Sequence, residues 1–406
     1  MTDVSESGFK EVTRVADARA RLHEAVTPHG RTDRVPLRVA EGRALAEPVD
    51  AVRNVPHYAR AAMDGWAVRA EDTFGAGDRS PAVLRETDRE GSVGPNEAAR
   101  VHTGSELPEG ADAVVMIERT DRFGGEVEVF DAVAGGENVA PPGEDVTADQ
   151  PLYETGHRLR PSDLGLLKAT GVREVEVYER PTVGVIPTGE ELVQGDPEPG
   201  EVVETNGLTV SRYVERWGGA ATYRNVVTDD ESALRAAIER DLTKDVVVTT
   251  GGSSVGERDL VPEVVEALGE VLVHGVALKP GHPVALGVVE GTPVLMLPGY
   301  PVACIVNAVQ FLRPVMKLIG GYPVPDHPTV EARLARKVAS EPGVRTFARV
   351  SLAVEDGEQV ATPTRASGSG VLSSVALADG WVVVPEGTEG YDEGRTVDVE
   401  DWEYYA

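Results

Sequence analysis

Apolar residues follow several different patterns along the chain. Over residues 12–26 they recur at near-helical spacing, which predicts one amphipathic helix. Over residues 35–160 short alternating runs are broken by Gly, Pro and Asp, which indicates a β-rich region. Residues 161–171 predict a short helix that Ser162 caps and Gly171 ends.

The pattern changes near residue 179. Continuous apolar runs that end in Gly or Pro (PTVGVIPTG, DVVVTTGGSS, GVALKPG and PVLMLPG) alternate with helical patterns at 206–217, 231–241, 260–268 and 301–319. This alternation predicts a parallel sheet with helices on both faces, a doubly wound α/β domain. We place it at 179–322, after an N-terminal region at 1–178. Alternation returns over 323–406 and predicts a small β domain.

Residues 291–312 carry no charged side chain, and this stretch is long enough for a membrane span. However, Pro298, Gly299 and Pro301 interrupt it, and the part before them is β-like. We therefore predict a strand, a tight turn and a buried helix here rather than a membrane span.

The charge balance excludes some classes of partner. The 406 residues include 39 Lys and Arg against 68 Asp and Glu, a net charge of −29. Such a charge repels phosphate backbones and anionic lipid, so neither nucleic acid nor membrane is an expected partner. The acid-rich, lysine-poor composition suits a salt-loaded cytoplasm. The first residues lack a signal-peptide pattern, and the single cysteine, Cys304, excludes an intrachain disulfide framework.

Three loops are expected at the carboxyl ends of the strands, where open α/β sheets bind ligands. The loop at 249–256 (TTGGSSVG) predicts a phosphate or pterin cradle, although an ordinary turn is the alternative. The loop at 187–192 (PTGEEL) follows a strand at an expected helix start, where a carboxylate either holds Mg²⁺ or caps the helix. The third loop, 297–301 (LPGYP), opens the apolar helix.

Several single residues allow two interpretations each. Asp259 either caps a helix or faces a metal, whereas Asp229 and Asp230 are expected to cap the following helix. Lys279, before a Pro-Gly turn, is either an oxyanion contact or a surface lysine. Arg345 and Arg349 lie at i and i+4, so both face one side of a strand with Ser369 in a neighbouring turn. That face is either functional or simply solvated.

Six segments together resemble the molybdopterin molybdenumtransferase family, the MoeA and gephyrin E-domain type. They are AMDGWAVR (62–69), HTGSELPEGADAVV (102–115), PTGEEL (187–192), TGGSSVG (250–256) with Asp259, KPG (279–281) and LPGYPV (297–302). Their order and spacing match the family over nearly the whole chain.

This resemblance implies a fold and an activity. The implied fold has an N-terminal region with an inserted β-rich domain at about 55–145, an α/β domain and a C-terminal β-barrel. The implied enzyme inserts molybdenum from molybdate into adenylylated molybdopterin and releases AMP with the help of Mg²⁺. The resemblance also implies a homodimer whose site lies between the subunits. It further implies a cytoplasmic protein that could contact other enzymes of cofactor assembly.

The resemblance also assigns residues. The implied catalytic residues are Asp64, Thr103, Asp259, Lys279 and Arg349, and the implied metal ligands are Glu191, Asp229 and Asp259. The residues expected to bind the pterin or its phosphates are Thr188, Gly189, Gly251, Gly252, Ser253, Ser254, Gly256, Pro298, Gly299 and Ser369.

The sequence departs from the family in ways that keep alternatives open. Gly275 and His282 stand where relatives carry lysines, Trp66 replaces a commoner tyrosine, and Tyr300 replaces a commoner asparagine. A tungstate-preferring paralogue, a molybdopterin adenylyltransferase and a non-enzymatic scaffold are the competing functions. The composition further suggests a halophilic archaeon as the source.

Overall fold

A computed structural model describes residues 12–87, 91–252, 260–364 and 368–404. The N-terminal region begins with helix α1 and contains strands β1 to β12 and helix α2. Their bounds are α1 Val15–Glu24, β1 Thr32–Pro36, β2 Val49–Asp50, β3 Arg60–Ala61, β4 Gly65–Val68, β5 Ala82–Glu86, β6 Glu97–Val101, β7 Ala113–Met116, β8 Thr120–Phe123, β9 Glu126–Val129, β10 Val139–Ala140, β11 Pro151–Tyr153, α2 Pro161–Ala169 and β12 Glu174–Tyr178.

A six-stranded sheet of order β7-β4-β6-β5-β9-β8 forms the β-rich part of this region. Strands β1 and β12 pair antiparallel, so the chain enters and leaves this part side by side. The short helix α2 differs from its predicted start. Arg160 precedes it and its backbone N–H donates to the Asp163 carboxylate at 2.8 Å, so Ser162 is not the cap.

The α/β part that follows is built on a second six-stranded sheet. Its elements are β13 Thr182–Pro187, β14 Leu192–Val193, β15 Val202–Val203, α3 Asn206–Arg216, β16 Ala220–Tyr223, α4 Glu231–Asp241, β17 Val246–Thr250, α5 Leu260–Leu268, β18 Glu270–His274, β19 Leu278–Lys279, β20 Ala285–Val289, β21 Thr292–Leu297, α6 Pro301–Asn307, a π turn Ala308–Leu312 and α7 Arg313–Ile319. The strand order is β16-β13-β17-β21-β20-β18.

Helices cover both faces of this sheet because its central strands are apolar. Strand β17 is buried along its whole length, as expected for a parallel strand that helices cover on both faces. Helices α1, α3 and α6 pack on one face and α4 and α5 on the other. The four strands β16, β13, β17 and β21 are parallel, β20 is antiparallel to β21, and the edge strand β18 is antiparallel to β20.

Two predictions for this part are wrong in detail. The GVALKPG run is not a strand of the α/β sheet, because β19 pairs parallel with strand β24 (Arg345–Glu355) of the C-terminal domain. Nor does the PTGEEL loop open a helix, since strand β14 follows it and α3 begins only at Asn206. A helix-capping role for Glu191 is thereby removed.

The uncharged stretch forms β21, a turn and then the continuous helical segment α6–π–α7, as the sequence predicts. The segment Pro301–Ile319 is long and apolar enough to span a membrane, but 89% of its apolar window is buried inside the protein. It is therefore a core helix of the α/β part.

The C-terminal part is a closed β-barrel. Its elements are β22 Thr329–Leu334, β23 Val338–Ala339, β24 Arg345–Glu355, β25 Glu358–Pro363, α8 Ser373–Ala376, β26 Gly380–Val384, β27 Gly390–Tyr391 and β28 Thr396–Glu400. The ring order is β24-β25-β22-β28-β26, and β26 pairs back onto β24 to close it.

The barrel and the α/β sheet share one apolar core. Phe347, Trp381 and Trp402 of the C-terminal part pack in the same buried cluster as α6 and the sheet. The rings of Trp381 and Trp402 stack at 4.5 Å between centroids. A shared core fixes the two parts relative to each other, so cavities at their junction have a defined shape.

Candidate active site

A cavity of about 710 Å³ lies where the barrel meets the α/β part, and we call it the barrel-side cavity. Its lining includes Lys279, Arg349, Ser369 and Pro298, four residues that the resemblance assigns to the site. They come from β19, from β24, from the turn before α8 and from the turn after β21, so only the tertiary structure brings them together.

Lys279 is placed by the strand that carries it. The parallel pairing of β19 with β24 sets Lys279 opposite Thr346. The ammonium Nζ donates to Glu341 Oε1 at 2.7 Å, and both side chains are more than half exposed. A solvent-exposed pair of this kind is weak, so an incoming oxyanion can compete with Glu341 for Lys279.

Arg349 provides a second cation with less access to water. Its guanidinium donates to the Phe347 carbonyl at 3.3 Å and to Ser374 Oγ at 3.4 Å. Burial lowers the pKa of Arg349, although a guanidinium remains charged at any ordinary pH. A partly desolvated cation attracts an anion more strongly than an exposed one.

His282 lines the same cavity. Desolvation and the nearby charge of Lys279 lower the pKa of His282. The imidazole is therefore mostly neutral at pH 7 and adds little positive charge to the cavity.

A second cavity of about 560 Å³, the sheet-edge cavity, lies at the carboxyl ends of β13, β17 and β21. The residues of this lining that the sequence singled out are Thr188, Gly189, Glu191, Asp229, Gly251, Gly252, Pro298 and Gly299. Pro283, Pro298 and Tyr300 line both cavities, so the two lie side by side.

Glycine is required at the turn after β17. Gly251 has a φ of +124°, and a Cβ there would lie 2.3 Å from the carbonyl oxygen of Thr188. The Gly251 N–H donates to the Leu297 carbonyl at 2.9 Å, which ties the turn to β21. Any larger residue would fill the space between the two strand ends, so the backbone forms an open cradle here.

The cradle also contains polar atoms that lack partners within the described residues. The hydroxyls of Thr188 and Thr250 are buried and make no hydrogen bond there. Buried hydroxyls are usually hydrogen-bonded, and Thr188 lines the cavity, so its hydroxyl is available to a ligand, whereas Thr250 is not part of the lining. Asn206 closes the rim by donating from Nδ2 to the Gly299 carbonyl at 2.7 Å.

Two carboxylates of the predicted metal set line this cavity. Asp229 is half-buried and Glu191 is exposed. The neighbouring Asp230, not Asp229, caps α4, because its carboxylate accepts from the Ala233 N–H at 2.9 Å. The capping prediction is thus right for Asp230 and wrong for Asp229.

Within the described ranges, no three His, Cys, Asp or Glu side chains come together as a metal-binding group. The predicted residues Ser253, Ser254, Gly256 and Asp259 lie outside the described residues.

The last two predicted site residues, Asp64 and Thr103, belong to the N-terminal β-rich part. Asp64 Oδ1 accepts from the Thr103 N–H at 2.6 Å and from Thr103 Oγ1 at 2.9 Å. These two bonds lower the pKa of Asp64 and keep it ionised. The described linings of the two cavities include neither residue. The structure joins Asp64 to Thr103 but separates the pair from Lys279.

Arg345 and Arg349 share a strand face but not a cavity. Arg345 donates to Glu386 at 3.1 Å and lines a different cavity, while Arg349 lines the barrel-side cavity. Phe347, between them on β24, lines both cavities and is buried. The single basic face predicted from the i, i+4 spacing is therefore divided by an aromatic side chain.

Sequence reasoning missed Glu341 and Asn206. Glu341 is separated from Lys279 by 62 positions, and no local pattern connects them. Asn206 did carry a weak signal, because it follows a polar run at the start of a helical pattern.

Comparison with known proteins settles the family. Three family models match in order: the MoeA N-terminal region (domains I and II) over residues 13–171, a domain described as "Probable molybdopterin binding domain" over 184–318, and the MoeA C-terminal region (domain IV) over 331–402. A Bacillus subtilis molybdopterin molybdenumtransferase is 34% identical over 385 residues, covering 91% of this chain and 90% of its own. The chain belongs to the MoeA family.

Other MoeA-family relatives agree. A Methanocaldococcus jannaschii protein named for molybdopterin biosynthesis is 36% identical over 390 residues, covering 93% of this chain and 94% of its own. The crystal structure of the MoeA protein from Pyrococcus horikoshii OT3 aligns with a TM-score of 0.82 and 32% identity. It covers 96% of this chain and 99% of that one. The MoeA fold therefore extends over nearly the whole chain.

Proposed function

We propose that this chain is a molybdopterin molybdenumtransferase, which joins molybdenum from molybdate to the dithiolene sulfurs of adenylylated molybdopterin and releases AMP. The observation that carries the proposal is the convergence of Lys279, Arg349 and Ser369 in a cavity beside the glycine cradle of a MoeA-family chain. Curated relatives named for this activity support it over the adenylyltransferase and scaffold alternatives.

The sheet-edge cavity suits the pterin-phosphate end of such a substrate. Backbone at Gly251 and Gly252 and the Thr188 hydroxyl, which is unpartnered among the described residues, offer polar contacts to phosphate or pterin. Ser253, Ser254 and Gly256 extend the same loop in the sequence and remain part of the proposal.

Glu191 and Asp229 would hold the Mg²⁺, and Asp259 remains a candidate ligand from the family resemblance. When bound, Mg²⁺ would neutralise charge on the phosphate oxygens at the bond that is cleaved. The residues of this chain orient the adenylate beside the cradle and exclude part of the surrounding water.

The barrel-side cavity suits molybdate, which is a substrate rather than a resident cofactor. Lys279 and Arg349 supply positive charge and Ser369 can supply a hydroxyl donor to the oxyanion. The neutral His282 reduces the positive charge relative to family members that carry lysine there. Measuring AMP release while molybdate and tungstate compete for the enzyme would distinguish a molybdate enzyme from a tungstate-preferring paralogue.

A homodimer would complete the site. Asp64 and Thr103 form a tight pair that lies outside the two cavities of the same chain, so a second subunit would have to supply them. Mixing Asp64→Ala with Lys279→Ala subunits should restore about a quarter of wild-type activity, because random pairing gives half heterodimers with one intact site each. No restoration would show that the site is contained within one subunit.

The activity test is molybdate-dependent release of AMP from adenylylated molybdopterin with Mg²⁺ at high salt. We expect Lys279→Ala to lower AMP release at subsaturating molybdate, while Lys168→Ala, an exposed lysine on α2, leaves it unchanged. If wild-type protein releases no more AMP with molybdate than without it, the proposed reaction is wrong.

The setting of the enzyme is also part of the proposal. A net charge of −29 supports a salt-loaded cytoplasm, as in a halophilic archaeon, because high salt screens the repulsion between acidic side chains. In that setting the chain could contact other cofactor-assembly enzymes that supply its substrate. Activity that falls steadily as KCl rises to molar concentration would contradict the habitat.

A further inference from the structure

A third cavity of about 530 Å³ shares the buried Phe347 with the barrel-side cavity and has an otherwise different lining. Its lining comes from α1, from the π turn and α7, and from the barrel. Three arginines line it, namely Arg19, Arg313 and Arg345, and we call it the arginine cavity. In a chain with 29 more acidic than basic residues, three guanidiniums around one cavity need a reason.

Arg313 is the central observation, because it is 95% buried and forms no salt bridge with the described residues, although the exposed Asp326 acts on it at longer range. Its Nη2 donates to the Pro325 carbonyl at 2.7 Å, and its Nε makes no hydrogen bond within the described part of the chain. A buried cation without an anion is costly, so an anionic ligand beside Arg313 would recover part of that cost.

The neighbouring cations are also held in place. Arg19 donates from Nε to the Gln310 carbonyl at 3.0 Å and again to the Gln310 side chain. Arg345 is held by Glu386 at 3.1 Å, and its buried Nε has no partner among the described residues. Both side chains are thus oriented before any ligand arrives, which lowers the entropy cost of binding one.

The π turn Ala308–Leu312 gives the cavity its wall. It interrupts a long helix between α6 and α7 and contains Gln310 and Val309, which both line the cavity. Helices rarely contain such turns, and those that occur are frequent at functional sites. The turn also changes the rotation of the helix at Arg313, which begins α7.

Three carboxylates lie near the arginines, and among the described residues only Glu386 forms an ion pair with one of them, Arg345. Glu400 lines the cavity and accepts from Trp381 Nε1 at 2.9 Å, and burial raises its pKa. Asp326 is exposed at the rim. Burial lowers the pKa of His327 to about 4, so it is neutral at pH 7. Glu386, Glu400 and Asp326 thus equal the three guanidiniums in number, but within the described residues none of the three carboxylates forms a salt bridge with Arg313.

We propose that the arginine cavity binds a small phosphomonoester, with the guanidiniums around the phosphate and the apolar wall around the organic part. Guanidinium groups pair with tetrahedral oxyanions through two parallel hydrogen bonds. A free oxyanion would leave most of about 530 Å³ empty, and Val309, Val383 and Phe347 provide apolar surface for an organic body. The site is separate from the two cavities of the proposed reaction.

Isothermal titration at fixed KCl with phenyl phosphate and inorganic phosphate as probes tests this site. We expect one phenyl phosphate per chain and at least a tenfold loss of affinity in Arg313→Gln. Arg19→Gln and Arg345→Gln, which are exposed and half-buried respectively, should each weaken binding several-fold even if Arg313→Gln does not fold. Inorganic phosphate should bind more weakly than phenyl phosphate.

Two control variants locate the bound probe. Arg21→Gln changes an exposed arginine of α1 outside this lining and should leave the affinity unchanged. Arg349→Gln, in the barrel-side cavity, should also leave it unchanged. Absence of binding at millimolar probe, equal binding in all variants, or a loss confined to Arg349→Gln would overturn the proposal. Equal affinity for phenyl phosphate and inorganic phosphate would refute the claim that the apolar wall binds the organic part of the ligand. None of these results depends on AMP release.

Discussion

Lys317 is a buried lysine whose ammonium has no carboxylate and no hydrogen-bond partner among the described residues. It is 1% exposed, and its Nζ makes no hydrogen bond within the described part of the chain. The Tyr322 ring lies with its centroid 5.1 Å from Nζ. Burial, and then the charges of Arg158 and Arg313, lower the pKa of Lys317 to about 7. We predict that Lys317→Met stabilises the protein at pH 6.

The size of the effect follows from the pKa in the two states. An unfolded lysine titrates near its ordinary value of 10.5, so below pH 7 both states are protonated and the folded state bears the whole penalty. A shift of this size corresponds to a penalty on the order of 5 kcal/mol. Between pH 7 and about 10.5 the unfolded state binds more protons, so wild-type stability rises with pH relative to the variant.

Urea unfolding of both proteins at fixed KCl and protein concentration, at pH 6, 8 and 10, measures this difference. Fluorescence of Trp217, Trp381 and Trp402 reports on the shared core. We expect the stability advantage of the variant to be several kcal/mol at pH 6 and to shrink towards zero at pH 10. Lys168→Met, at an exposed position, should show no such trend. A difference between wild type and Lys317→Met that stays constant from pH 6 to 10 would refute the reasoning.

Three further predictions concern the site. Asp230→Ala removes the cap of α4 and should cost about 1 kcal/mol of stability without changing AMP release, whereas Asp229→Ala leaves that cap intact and should lower AMP release. If instead Asp229→Ala lowered the stability and Asp230→Ala lowered AMP release, Asp229 would be the cap and Asp230 the site residue. Glu341→Gln frees Lys279 from its ion pair and should lower the half-saturating molybdate concentration a few-fold; an increase would mean that Glu341 orients the lysine. Gly251→Ala places a Cβ 2.3 Å from the Thr188 carbonyl at a φ of +124°, so it should cost about 1–3 kcal/mol and most of the AMP release. Gly195→Ala, with open space around it, is the matched control and should have little effect.

Periodicity in the sequence predicts the order and type of most elements because burial imposes it directly. The apolar strands β13, β17 and β21 and the helices between them follow from runs and spacings that are local. The GVALKPG run misleads for the same reason. Local hydrophobicity indicates a buried strand but not which sheet it joins, and β19 pairs with the barrel.

The candidate site residues also fall into two groups, those that a local pattern in the sequence reveals and those whose role depends on distant residues. Glycine and hydroxyl positions in the cradle are visible in the sequence because a turn after a buried strand needs them locally. Roles that depend on distant partners are not visible. Asp229 and Asp230 look alike in the sequence, and only the geometry of α4 decides which one caps it. Likewise, Arg345 and Arg349 share a spacing, but Phe347 assigns them to different cavities.

By itself, then, the sequence determined the strands, the helices, the cradle glycines and the resemblance to one family, since each depends on neighbours along the chain. The tertiary structure alone decided that Lys279, Arg349 and Ser369 meet, that Glu341 holds Lys279, and that Asp64 and Thr103 lie apart from them. It also placed Arg313 and Lys317 in the interior without a carboxylate partner among the described residues. Contacts between residues far apart in the chain depend on how sheets and helices pack, and packing is not encoded in any single local pattern.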